Sequence, residues 1–218
     1  MINSDNNIRP YIISDTGPIL TFLFIKRIDL LKDFCSSNII YIPQKVYDEL
    51  TDQMQKNQIP ESDLEGLNFR KVNVSDEDLM KFDGLFPPNK KSSLHDGERE
   101  VFALGLKHRD CSLLVIDDKK ARNSVKNLNF KIIGTIYIIQ EEITKQQITV
   151  KETKEIINKL QEYNRYYSST LLEILIKQAE NTEQSTKKTE SKTMNTKKNE
   201  KIDSLTNKSE NDNSYKPK

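Results

Sequence analysis

Short, wholly apolar runs alternate with amphipathic stretches over most of the chain. Tyr11–Ser14, residues 38–42, Leu113–Ile116 and Lys131–Ile133 have the length and branched apolar character of strands, and the more polar segment 69–74 also reads as one. The stretches between them show helical spacing. Gly17 and Pro18 end the first strand and open a helix through Leu20–Ile25, with Pro18 suited to a first turn. A short helix follows from about Asp29. Pro43 opens another, holding Val46, Tyr47, Glu49 and Leu50. Ser75 with Asp78 reads as a capped start of a short helix. A longer helix is expected from Asp96 to about His108, another over Ala121–Leu128, and three more at about 135–146, 150–163 and 168–179. Strands alternating with helices, each strand apolar throughout, indicate an α/β fold around a central parallel sheet.

This pattern stops near residue 180. The segment 179–218 is rich in Lys, Asn, Thr, Ser and Glu, and has too little apolar surface to offset the entropy of ordering. A disordered C-terminal tail is expected there, with a flexible N-terminus over 1–10 and one domain over 11–178. From Asn181 onward nine Lys face six acids, which leaves 25 basic and 27 acidic residues in the body. The overall charge of +1 thus hides a slightly acidic body and a basic tail. Cys35 and Cys111 both adjoin apolar runs and read as free thiols in a reducing cytoplasm. The longest apolar stretch, residues 19–25, is too short to span a bilayer, and the opening residues lack the build of a signal peptide. A cytoplasmic protein is the expectation.

The charges inside the apolar body carry the chemistry. Asp15 and the pair Asp117–Asp118 fall where strands end, which in a parallel sheet is the binding crevice. Glu98 sits near a helix start on the same face as Val101, Phe102, Gly105 and Leu106. A helix dipole returns only about 0.3–1 kcal/mol to such a carboxylate, far less than burying it unpaired would cost. Glu49 lies beside Val46 and Leu50 on the helix after the second strand. Carboxylates held together are stable only when protonated or when a cation sits among them, and an all-oxygen set suits Mg²⁺ or Mn²⁺. Such metals serve phosphodiester chemistry. Asp96 can serve simply as the N-cap of its helix, with His95 in the loop beside it. One of Asp117 and Asp118 can be a ligand and the other a cap. Ser14 and Thr16 could orient ligands or water. Lys119, Arg122, Lys120, Lys90 and Lys91 are candidates for phosphate contact.

Five segments now form an ordered pattern: IISDTGPIL at 12–20, YIPQKVYDEL at 41–50, LHDGEREVFALGL at 94–106, LLVIDDKKAR at 113–122 and FKIIGTIYII at 130–139. In order and spacing the chain resembles the PIN-domain ribonucleases, above all a prokaryotic branch with an Asp-Thr-Gly-Pro start. The resemblance covers about residues 11–178. It implies a three-layer α/β/α sandwich and a Mg²⁺- or Mn²⁺-dependent endoribonuclease. By position the family's acids fall on Asp15, Glu49, Glu98 and Asp118, with Asp117 adjacent. Many relatives are toxins of type II toxin–antitoxin pairs, so RNA, a small antitoxin protein and a second copy of the chain are the implied partners. The long polar tail departs from those compact toxins. The alternative is a catalytically silent PIN-like module that binds RNA or protein. A haloacid-dehalogenase phosphatase would need a second acid at position 17, where this chain has Gly17.

Overall fold

A computed structural model describes residues 10–36, 38–87, 94–163 and 167–186. The chain forms β1 (Tyr11–Ser14), α1 (Thr16–Phe24), α2 (Ile28–Cys35), β2 (Ile40–Pro43), α3 (Gln44–Lys56), β3 (Phe69–Val72) and α4 (Asp76–Asp83). It continues with α5 (Asp96–Lys107), β4 (Ser112–Val115), α6 (Lys119–Ser124), β5 (Ile132–Ile133), α7 (Thr135–Thr144) and α8 (Val150–Glu162). A last helix, α9, covers residues 169–186. Single 3₁₀ turns occupy Glu61–Leu64 and Lys126–Leu128. The expected flexible N-terminus up to residue 9, Lys90 and Lys91, and the polar tail beyond residue 186 lie outside the described residues. Within them, the last helix runs eight residues past the domain boundary at 178 that composition suggests.

The five strands are all parallel, in the order β3-β2-β1-β4-β5. β1 and β4 run as fully paired neighbours from Tyr11↔Ser112 to Ser14↔Val115. From β1 the chain crosses to β2 on one side and later to β4 on the other, so the connections diverge between β1 and β4. That divergence opens a crevice above the strand ends, where a parallel sheet accepts ligands. Helices α3 and α4 pack on α5, and α2 and α7 pack on α1, with α1 also against α3, which completes the three-layer α/β/α sandwich. No helix among the described residues is long and apolar enough to cross a membrane.

The sheet is buried on both faces at its centre, which is why β1, β2 and β4 are largely apolar, whereas the edge strand β3 exposes Arg70 and Lys71. Ile12, Ile13, Ile40, Ile42, Leu114 and Val115 all lie in the core. Helix α5 lies close against the sheet at Gly105. A Cβ there would stand 2.8 Å from Cδ2 and 3.1 Å from Cδ1 of the fully buried Leu114. Gly105→Ala is therefore expected to destabilise the fold by about 1–3 kcal/mol through overpacking. The direction is telling, since Ala favours an exposed helix by up to about 1 kcal/mol over Gly. Urea denaturation decides the sign; a stabilised variant would show that the α5–β4 contact has slack.

Candidate catalytic cleft

Asp15 leaves β1 directly above the divergence point and is 9 % exposed. It lines a cleft of about 580 Å³ together with Thr16, Gly17, Leu20, Phe24, Glu49, Gln53, His95, Glu98, Asp117, Asp118, Lys119 and Tyr167. All five acids singled out from the sequence therefore border one space. Burial pushes the Asp15 carboxyl up to about 7, and the charges of Glu98, Glu49 and Asp117 push the same way against a hydrogen bond from the Thr16 backbone. The Glu98 carboxyl is raised as well, mainly by burial. Asp118 and Glu49 add to that shift, and a backbone bond from His95 opposes it. These groups sense one another electrostatically, as the apolar setting of each suggests.

Each acid is also held by its own bond. Thr16 Oγ1 donates to Glu49 Oε2 at 3.0 Å, tying α1 to α3. The Glu98 carboxylate accepts the His95 backbone N–H at 2.9 Å, so His95 is the N-cap of α5 and Asp96 is its first residue. That corrects the expectation of Asp96 as the cap. The chain leaves its extended conformation only after His95, and the reciprocal bond from Glu98 fixes the helix start one residue earlier. Asp96 instead pairs with Arg99 on the surface. Asp118 caps α6 by accepting from the Ala121 N–H at 2.7 Å. Asp117 turns toward the start of α7, where it accepts from Thr135 N at 2.7 Å, Thr135 Oγ1 at 2.6 Å and Tyr167 Oη at 3.4 Å. The Ser14 hydroxyl donates to the Asp15 carbonyl and orients no carboxylate.

Close backbone approaches make these positions reachable. Gly97 brings α5 against α3, where a Cβ would meet Val46 Cγ2 at 3.3 Å and Glu49 Oε2 at 3.7 Å. Gly134 lets Asp117 lie against the chain, for a Cβ would stand 2.8 Å from its Oδ1. Arg122 stands beside that Gly134 turn and outside the cleft lining, whereas Lys119 borders the cleft. Two contributors were not foreseen. Glu100, buried on α5, accepts the Lys45 N–H at 2.9 Å and so caps α3 from outside, because Pro43 at that cap has no side-chain acceptor. Its Pro-initiated partner helix was the available signal. Tyr167 arrives from the C-terminal segment, and no pattern near the other motifs pointed to it.

The donor set is oxygen only, which fits a hard divalent cation. Spacing adds a condition. Among the described residues, no three or more His, Cys, Asp or Glu side chains are grouped to hold a metal ion. The acids ring the cleft without forming a closed cage, an arrangement compatible with Mg²⁺, which keeps several waters and takes one or two carboxylates plus substrate phosphate.

The Asp117–Thr135 lock can be tested by itself. Thr135 is fully buried, and Thr135→Val keeps its shape while removing one donor to a carboxylate. A loss of about 1–3 kcal/mol in thermal or chemical denaturation is expected. An unchanged stability would mean that Asp117 is not held there in solution.

A protein-family model described as PIN domain matches residues 11–181 of the chain. No curated protein matches it.

Proposed function

The chain belongs to the PIN-domain family, and from that premise we propose that it is a metal-dependent endoribonuclease that hydrolyses RNA phosphodiester bonds. Membership of the family supports a role on RNA or other nucleic acid. The observation that carries the finer reading is Asp15. It is a nearly buried carboxylate at the divergence point of a parallel sheet, destabilised by its surroundings and faced by Glu49, Glu98 and Asp117. Stability alone does not favour such a group; one that gains a cation with its substrate does.

In this reading Asp15, with Glu49, Glu98 or Asp118, would hold Mg²⁺ or Mn²⁺. When bound, the ion supplies an activated water at neutral pH and offsets charge developing on the phosphate and leaving oxygen. Thr16 keeps Glu49 aimed at the cleft, and Thr135 with Tyr167 fixes Asp117. Lys119, on the cleft rim, offers the one Lys or Arg side chain among the described lining residues for a phosphate oxygen. Arg122 would act from beside Gly134, through Asp117 or on an RNA strand outside the cleft.

A mixed pool of structured RNA incubated with wild type and Asp15→Asn, in Mg²⁺, Mn²⁺ or EDTA, tests the reading. Cutting by wild type alone, and only with metal, is the expected result. Absence of cutting by folded protein supplied with either metal would sink it and favour a silent RNA- or protein-binding module. The open spacing of the acids is the observation on that module's side. We place the activity in the cytoplasm, as the toxin of a pair with a small inhibitory protein and in a homodimer. The motif order set out above supports the toxin and dimer parts, and the free thiols of Cys35 and Cys111 suit a reducing compartment. Growth arrest on induction, relieved by an adjacently encoded small protein, tests the toxin part.

A further inference from the structure

Among the acids that ring the cleft, part of the lining is aromatic. Thr16, Leu20 and Phe24 recur every four residues on α1, so they form one stripe leading away from Asp15. Thr16 serves Glu49 and Leu20 is buried, but Phe24 stays half-buried at the cleft. Tyr163, at the end of α8, stacks on Phe24 with ring centroids 5.0 Å apart and planes at 14°, and is itself 44 % exposed. Tyr167, half-buried, lines the same cleft and reaches Asp117 through its hydroxyl.

With a cation between, a ligand that has both an anionic and a flat aromatic part would engage the acids and the rings at once. A nucleotide has that composition, and only an unpaired base offers its flat face to a side chain.

We propose that Phe24 and Tyr167 form a stacking wall for an unpaired base adjoining the scissile phosphate, which makes them the specificity-determining residues of the cleft. The proposal rests on the reading of this cleft as the RNA-cutting site. Because every base has a flat face, the wall selects strand state and tolerates sequence. An RNA duplex, with its bases stacked and paired, is excluded from it.

The test is a cycle between protein and substrate. A short labelled single-stranded oligoribonucleotide is prepared intact and with one abasic site at each position in turn. Binding is measured by anisotropy in Mg²⁺ on full-length Asp15→Asn, alone and combined with Phe24→Ala, Tyr167→Ala or Tyr167→Phe; cleavage is measured on wild type and the same wall variants with Asp15 intact. Tyr167→Ala is expected to weaken binding of the intact strand about tenfold, with Tyr167→Phe near the parent. One abasic position should weaken the parent by a similar factor, and combining it with Tyr167→Ala should add no further loss. Losses that multiply, or Tyr167→Phe behaving as Tyr167→Ala, would overturn the wall and leave Tyr167 as a support for Asp117. Cleavage with multiplying losses keeps the nuclease and removes the wall. A non-additive cycle without cleavage keeps the wall and removes the nuclease. No binding to any strand removes the wall.

Discussion

Asp15→Asn is expected to lower the proposed metal-dependent RNA cleavage by at least about 100-fold, the upper range for losing mere outer-shell support at a metal site, and yet to raise the stability of the fold above pH 7. The two effects have one cause. The Asp15 carboxyl is pushed up to about 7 by burial and by its acidic neighbours, whereas in the unfolded chain it ionises near its ordinary value of about 3.9. As pH rises between those values the unfolded chain releases its proton and the folded chain keeps it. Wild-type stability therefore falls through this window and levels off above pH 7. Each tenfold change in proton affinity is worth about 1.4 kcal/mol, so the plateau penalty is roughly 4 kcal/mol. Asn carries no ionisation penalty, and the variant should show no such fall. Mg²⁺ at pH 8 should raise the wild-type melting temperature and leave that of Asp15→Asn nearly unchanged. Melting curves from pH 4 to 8, with and without metal, read all of this. A variant less stable than wild type at pH 8 would show that the Asp15 charge is not the burden described.

Phe102→Ala should destabilise the fold by about 3–5 kcal/mol, the usual cost of emptying a filled aromatic site. Phe102 is fully buried on α5, between Phe82 of α4 at 5.8 Å and Phe130, just before β5, at 5.5 Å. Three separate segments thus meet on one ring. The same helix presents Glu98 to the cleft and Glu100 to the start of α3, so looseness there reaches the site. Urea titration should show a lower midpoint, and the more conservative Phe102→Leu should lose less. A loss below about 1 kcal/mol would mean the three elements can close over the space.

Much of the architecture was legible beforehand because a parallel strand buried on both faces must be apolar at successive positions. Residues 11–14 and 113–116 could hardly be anything else, and the acids that end them had to stand at the crevice. Ser75 as the cap of α4 was equally local, since its hydroxyl oxygen and the Asp78 N–H that donates to it lie three residues apart. The start of α5 misled by one position because His95 and Asp96 can both precede a helix. The bond from the His95 N–H to Glu98 decided between them.

What the chain determined by itself were the elements, their order and the residue types at each strand end, all set by periodicity and short-range chemistry. Which groups meet was left to the tertiary structure. Asp117 finds Thr135 across 18 residues, Tyr167 finds Asp117 across 50, and Glu100 caps α3 across 55. Local spacing records which way a side chain faces along its own element. It holds no record of which distant turn will lie opposite, because that is settled only when the helices pack on both faces of the sheet and bring their ends together.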